Sequence, residues 1–139
     1  MSEKNEAAPD KCVVVVIDDD PAVRGSLEFS LQTEGFNVQA YASGAELLKQ
    51  ADLPACGCVV VDYFLPGMNG LELALELRKR HMALPIILIT THPSRTLSES
   101  AGAVGIEIVE KPLLGNLLSE RIRAAIRPCG EPLVNLPGA

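Results

Sequence analysis

Residues 12–20 read CVVVVIDDD, and this junction between an apolar run and three carboxylates decides the fold. A short, mostly β-branched run is typical of a parallel strand that is buried on both faces. Three more runs of this kind end in polar residues, namely 59–62 (VVVD), 86–90 (IILIT) and 106–111 (IEIVEK). Ligands bind at the carboxyl ends of the strands in an open α/β sheet. We therefore expect five side chains to converge there: Asp18, Asp19, Asp62, Thr90 and Lys111.

Helix signals alternate with the strand runs along the chain. Asp20 and Pro21 predict the start of a helix, and Gly35 predicts its end. Residues 36–41 are a further strand candidate, and Ser43 is the predicted cap of a short helix. The β-α order repeats five times, which predicts a parallel sheet with helices on both faces.

The second half of the chain contains the last three helix candidates. A turn-rich loop over residues 63–70 precedes the first of them. Residues 92–105 have the least helical composition of the three. The last helix is predicted over residues 113–126, with a buried stripe formed by Leu114, Leu117, Leu118, Ile122 and Ile126.

Length and composition predict one globular domain. The chain has 139 residues and 47% of them are hydrophobic, which is enough for a buried core. We assign residues 1–10 to a mobile tail, 11–127 to the domain, and 128–139 to a Pro/Gly-rich tail or linker.

Charge and hydropathy argue against several partners. The net charge is −6 and no Lys/Arg run is present, which disfavours direct binding to nucleic acid or to an anionic membrane. No apolar stretch approaches the roughly 18–20 residues of a membrane span, and the start lacks the apolar segment of a signal peptide. We therefore expect a cytoplasmic protein.

The four cysteines give no metal or redox motif. Cys12 and Cys58 fall in or beside predicted strands, where a free cysteine behaves as a small apolar residue. The spacing of Cys56 and Cys58 matches no standard zinc or redox motif. We expect no metal or redox role for them.

The acidic residues predict a metal site. Carboxylates gathered at one point repel and raise one another's pKa unless a cation lies between them. A shallow, oxygen-rich site suits Mg²⁺, which keeps several of its waters. A plainer explanation is that residues 18–20 only cap the following helix. Capping explains Asp20 only. It does not explain the set of Asp18, Asp19 and Asp62, for which we expect a metal ion.

Thr90 and Lys111 complete a receptor for a phosphoryl group around Asp62. An ammonium, a hydroxyl and a metal ion are suited to hold the three peripheral phosphoryl oxygens. An aspartate carboxylate is a known nucleophile that forms an aspartyl-phosphate. Lys111 alone would be an ordinary surface lysine. It precedes Pro112, and the bond between them is a candidate cis peptide.

At these residues the chain resembles a two-component response-regulator receiver domain. The matching positions are Asp18 and Asp19, Asp62 with 65–70, Thr90, and Lys111 with Pro112. Residues 17–29, 90–92 and 101–104 are particularly similar to receivers of nitrogen-fixation-type regulators. The resemblance covers roughly residues 11–127.

The resemblance implies a flavodoxin-like, doubly wound, five-stranded sheet of order 2-1-3-4-5. It implies that Asp62 accepts phosphate from a histidine kinase or phosphotransfer protein, assisted by Thr90 and Lys111. It implies direct Mg²⁺ ligands from Asp19, Asp62 and the carbonyl of Phe64, with Asp18 acting through water. The only chemistry implied is the protein's own phosphorylation and dephosphorylation. A homodimer is a possible assembly.

Two departures from the family pattern fall on one face. Ile108 occupies the position where receivers carry a switch aromatic. The spacing around residues 101–102 predicts that the fourth helix is short or irregular. Both changes lie on the face that the family uses for signalling, so we expect an atypical output surface.

Several functions remain open on the sequence. The preferred one is a stand-alone receiver that signals through protein contacts. Alternatives are the N-terminal receiver of a DNA-binding transcriptional regulator and a phosphorylation-independent interaction module. A Mg²⁺-dependent phosphatase would need a second Asp two residues after Asp62, where this chain has Phe64.

Overall fold

The computed structural model describes residues 12–50, 53–113 and 115–126. Five strands form one parallel sheet of order β2-β1-β3-β4-β5. Their bounds are β1 Val13–Ile17, β2 Asn37–Tyr41, β3 Gly57–Asp62, β4 Ile86–Thr90 and β5 Glu107–Glu110. The predicted strand order is confirmed, and the order reverses next to β1, where β3 lies on the other side from β2.

The described part of the chain has five helices, of which four connect successive strands and the fifth follows β5. Their bounds are α1 Pro21–Thr33, α2 Gly44–Leu48, α3 Gly70–Lys79, α4 Arg95–Ala103 and α5 Leu117–Ile126. Asp20 caps α1 by accepting from Ala22 N at 2.9 Å, and Ser43 caps α2 by accepting from Glu46 N at 3.2 Å. None of the described helices is both long and apolar enough to cross a membrane.

The sheet is buried on both faces because alternate residues of each strand point to opposite sides. One face packs against α2, α3 and α4 through Val15, Ile17, Val59, Val61, Leu47, Leu73, Leu77 and Leu97. The other face packs against α1 and α5 through Val14, Val16, Cys58, Val60, Leu31, Leu118 and Ile122. The continuous apolar runs in the sequence reflect this two-sided burial.

Two expectations about the helices need correction. The segment expected to give a short or irregular helix forms α4, which is short, at nine residues, but regular and capped by Ser94. Leu117 was expected in the buried stripe of α5, but its side chain is 39% exposed. Leu117 is the first residue of the helix, and Leu118 and Ile122 are its buried apolar residues.

The predicted tails, residues 1–10 and 128–139, lie outside the described residues, as does Leu114. The domain boundaries at 11 and 127 therefore stay predictions.

The amino end of the sheet contains a covalent bond that the sequence pattern does not predict. Cys12, expected to be a free apolar residue, is joined to Cys56 by a disulfide across 44 residues of sequence. The two cysteines directly precede the paired strands β1 and β3, so the pairing depends on strand order and not on spacing. Cys58 is free and fully buried, as expected.

Candidate functional site

Three carboxylates meet where β1 and β3 end. Asp18 and Asp19 follow β1, and Asp62 is the last residue of the neighbouring β3. One oxygen from each lies within 4.8 Å of the others. Asp18 and Asp62 are buried, whereas Asp19 is exposed. The predicted acidic site is therefore assembled, with an open side at Asp19.

The environment of Asp18 disfavours its charged form. Burial is the largest influence and raises the pKa of the Asp18 carboxyl above its ordinary value. The hydrogen bond from Asp20 N to Asp18 Oδ1, at 2.9 Å, lowers the pKa. The nearby Asp62 carboxylate raises it further. A cation among the three carboxylates would favour the charged form. The donor set, oxygen atoms only and partly open to solvent, fits Mg²⁺.

Lys111 supplies a positive charge to Asp62. Its Nζ lies 3.4 Å from Asp62 Oδ2, although the two residues are 49 positions apart. Lys111 N donates to the carbonyl of Thr90 at 2.8 Å, which fixes the start of the loop after β5 beside β4. The peptide bond from Lys111 to Pro112 is cis. The predicted partner of Asp62 is thus in place.

The Thr90 hydroxyl is buried beside Asp62 without a hydrogen-bond partner among the described residues. The residue ends β4 and is 1% exposed. A buried hydroxyl without a partner costs stability, and a bound ligand could supply the missing hydrogen bond.

Phe64 lies at the opening beside Asp62. Its backbone N donates to Asp62 Oδ1 at 3.3 Å. The ring is 62% exposed and contacts Tyr63 edge-to-face, with 4.9 Å between ring centroids. The metal-ligand role predicted for its carbonyl stays a prediction.

Two contacts that support the site were not predicted from the sequence, although both residues lie in segments that match the family. Arg24 Nη1, on α1, donates to the backbone carbonyl of Asp18 at 2.8 Å and so fixes the turn that carries the acidic residues. At Gly70, a Cβ atom would lie 2.5 Å from the carbonyl oxygen of Asp62. Neither contact has a local sequence signal. The capping box of Asn69 and Glu72, which starts α3 beside Gly70, does have one.

A packed aliphatic side chain, Ile108, occupies the position at which the family pattern has an aromatic residue. Ile108 is half-buried in β5 and packs against the core beneath α4. Next to it, Glu107 pairs with Arg121 of α5 at 3.0 Å. The surface formed by α4, β5 and α5 therefore has a regular fourth helix and carries Ile108 at the position of the expected aromatic.

Comparison with known proteins gives consistent matches. The family model described as the response regulator receiver domain matches residues 14–123. The transcriptional regulatory protein FixJ of Bradyrhizobium diazoefficiens is 35% identical over 115 residues, which are 82% of this chain and 56% of that protein. The chain spans little more than half the length of the curated relatives it matches.

Two solved structures illustrate the similarity. The response regulator protein TrrA from Thermotoga maritima, in complex with Mg²⁺-BeF, is 32% identical with a TM-score of 0.71, covering 82% of this chain and 98% of that one. Full-length FixJ from B. japonicum is 35% identical with a TM-score of 0.76, covering 84% of this chain and 58% of that one.

Proposed function

The chain belongs to the response regulator receiver domain family, and on that premise we propose that it is a cytoplasmic phosphoacceptor. Asp62 takes the phosphoryl group from the phosphohistidine of a histidine kinase or phosphotransfer protein. The observation that carries this proposal is the environment of Asp62, a buried carboxylate with Lys111 Nζ at 3.4 Å and two further carboxylates beside it. A carboxylate placed only for stability would not need the other two.

The transfer needs one bond to form and one to break. A carboxylate oxygen of Asp62 attacks phosphorus, the phosphorus–nitrogen bond breaks, and its electron pair returns to the imidazole of the donor. The Lys111 ammonium balances charge on the phosphoryl oxygens, and the unpartnered hydroxyl of Thr90 donates to one of them. The protein thus catalyses only its own phosphorylation and dephosphorylation.

Asp19, Asp62 and the carbonyl of Phe64 would hold Mg²⁺, with Asp18 acting through water. The ion supplies positive charge that offsets repulsion between the carboxylates and the phosphoryl group. The similar TrrA protein was crystallised with Mg²⁺-BeF, which supports this cofactor. Arg24 and Asp20 N keep Asp18 in position for it.

The test is phosphorylation of the full chain by acetyl phosphate with Mg²⁺, followed by intact mass measurement. We expect one added phosphoryl group, and Asp62→Asn should abolish it. Asp20→Asn is a matched control because Asn caps a helix as well as Asp and residue 20 is outside the acidic cluster. Equal labelling of wild type and Asp62→Asn would reject Asp62 as the acceptor.

Signalling through protein contacts, as a stand-alone chain or a homodimer, is our first proposal for the output. A second is favoured by the relatives that are named as transcriptional regulators, since each is longer than this chain. The mass of the native protein, detected in cell extracts with an antibody, distinguishes the two proposals. A species of 14.8 kDa supports the stand-alone form, and a much heavier one supports a receiver within a longer regulator.

A further inference from the structure

The amino end of the sheet contains a covalent link far from the acidic cluster. Cys12 and Cys56 directly precede β1 and β3, and their disulfide joins the beginnings of these two strands. The same two strands carry Asp18, Asp19 and Asp62 beyond their opposite ends. A five-residue strand is roughly 17 Å long at about 3.3 Å per residue. The disulfide and the proposed phosphorylation site therefore lie at opposite ends of the same two strands and have different neighbours.

The close approach of the two cysteines is built into the backbone. Gly57 has φ +141°, and a Cβ atom at this position would overlap the carbonyl oxygen of Val13. Val13 N donates to the carbonyl of Cys56 at 3.0 Å. Glycine at 57 thus lets β1 lie directly against the chain before β3. The Cα atoms of Cys12 and Cys56 are 4.5 Å apart as a result, within the range for a disulfide.

The link is accessible, whereas the third described cysteine is not. Cys12 and Cys56 are half-buried. Cys56 lines an open cavity of about 780 Å³ that also contacts Arg80, His81 and Pro85. This volume is in the range that holds small organic ligands. Cys58 is 0% exposed, and burial raises the pKa of its thiol to about 12. Cys58 therefore cannot compete in thiol exchange.

We propose that the Cys12–Cys56 bond is a reversible modification site, opened by thiols that enter from the cavity beside Cys56. A thiolate attacks the sulfur of Cys56, a mixed disulfide forms, and Cys12 leaves as a thiolate that takes up a proton. A second thiolate attacks the sulfur of the first reductant and releases Cys56. Two reductant thiols are oxidised to one disulfide, and an oxidised thiol of the same class closes the bond again.

The bond acts on stability and not on the chemistry of Asp62. Closing a loop of 44 residues restricts the unfolded chain strongly. Opening it should lower the thermal midpoint by on the order of 10 °C. The hydrogen-bonded ladder between β1 and β3 remains after reduction, so the acidic cluster keeps its geometry. The rate of phosphorylation by acetyl phosphate should therefore be the same in both redox states.

The first experiment maps accessible thiols in the full chain with Cys129→Ser, which removes the cysteine outside the described residues. The folded protein is incubated with reduced glutathione, or with thioredoxin and its reductase, then alkylated and analysed by peptide mass. We expect new labels on Cys12 and Cys56 and none on Cys58. Reduction by glutathione assigns a free thiol as the reductant. Reduction by thioredoxin alone assigns a protein dithiol. Labelling of Cys12 and Cys56 before any reductant is added overturns the proposal, as does failure of both reductants.

The second experiment is a double-mutant cycle of thermal midpoints with Cys12→Ser, Cys56→Ser and the double variant. Each single substitution should lower the midpoint of the oxidised protein about equally, and the double should lower it no further. All four proteins should coincide after reduction. Cys58→Ala is the control, since it should keep the full redox shift. Additive effects of Cys12→Ser and Cys56→Ser would overturn the proposal, even if both variants fold. Loss of Asp62 labelling in both redox states would count only against the phosphoacceptor function.

Discussion

At the carboxyl end of the sheet one buried hydroxyl has no partner among the described residues, whereas at the amino end two arginine side chains are paired. Thr90 Oγ1 has no partner in the described chain and burial raises the pKa of Asp18. At the opposite end, Arg78 Nη1 donates to the carbonyls of Met82 at 2.9 Å and Leu84 at 2.8 Å. Arg123 similarly pairs with the Glu34 carboxylate at 2.7 Å, where α1 ends.

On the proposed function, this difference separates the part of the fold that binds from the part that stabilises. The proposed site leaves the Thr90 hydroxyl for a ligand and buries the Asp18 carboxylate, so it should lower the stability of the free protein. At the amino end, arginine side chains donate to backbone carbonyls at the end of a helix or in the segment before a strand. Substitutions at the two ends should therefore change stability in opposite directions, except where backbones touch.

The largest expected effect is at such a backbone contact. Gly70→Ala should lower the free energy of unfolding by about 3 kcal/mol, because its Cβ would lie 2.5 Å from the Asp62 carbonyl oxygen. Urea denaturation measures this loss. Gly25→Ala in α1 is the control, since no atom lies within 4 Å of the new Cβ, and it should stabilise by about 0.5–1 kcal/mol. Equal shifts in both variants would contradict the contact.

The next effect tests the amino end. Arg78→Met keeps the apolar stem but removes the donor to Met82 O and Leu84 O, so it should cost about 2 kcal/mol. Lys79→Met, at an exposed neighbouring position, should change stability by less than about 0.5 kcal/mol. Phosphorylation of both variants by acetyl phosphate should match wild type. A slower reaction in Arg78→Met would show that the two ends are coupled.

At the carboxyl end, loss of a charge should stabilise the metal-free protein. Asp18→Asn should raise the free energy of unfolding by about 1 kcal/mol in EDTA, because it removes a buried carboxylate and keeps the acceptor for Asp20 N. Addition of Mg²⁺ should stabilise wild type more than the variant. If Asp18→Asn destabilises the protein in EDTA, the buried carboxylate does not destabilise the metal-free fold.

The same pair of proteins has a pH dependence with a definite sign. Because burial raises the pKa of Asp18 in the folded state, the charged carboxylate destabilises the fold above that pKa. The destabilisation is lost as the pH falls through the folded pKa and Asp18 becomes protonated. In EDTA, the advantage of Asp18→Asn should therefore shrink as the pH is lowered into the acid range, as measured by urea denaturation.

The smallest effect concerns the opening of the site. Phe64→Asn should speed the decay of phosphorylated protein by up to about tenfold, equal to about 1.4 kcal/mol in the barrier. We expect the exposed ring of this residue, whose backbone N donates to Asp62, to shield the aspartyl-phosphate from water. Stability should change little at this exposed position. Phe29→Asn replaces another exposed phenylalanine, on α1, and should leave the decay unchanged. An unchanged or slower decay in Phe64→Asn would remove the shielding role.

Much of the site could be predicted because each of its side chains directly follows an apolar strand run. Asp62, Thr90 and Lys111 were placed by the rule that parallel strands gather their carboxyl ends at one edge. Arg24 and Gly70 were missed, since their roles depend on contacts with Asp18 and Asp62 across space. The spacing around residues 101–102 predicted a short or irregular fourth helix, and the helix is short, with nine residues, but regular. The burial of Leu97 and Ala101 against the sheet gives α4 a regular form instead.

The sequence by itself determined the strands, the positions of the acidic residues and the family, because these depend on local patterns of apolar and polar residues. Only the tertiary structure decided which distant residues touch. The bond between Cys12 and Cys56 follows from the pairing of β1 with β3. The Thr90 hydroxyl has no hydrogen-bond partner among the described residues, which only the positions of the neighbouring segments show. Such facts depend on distances between chain segments, and a linear pattern contains no distances.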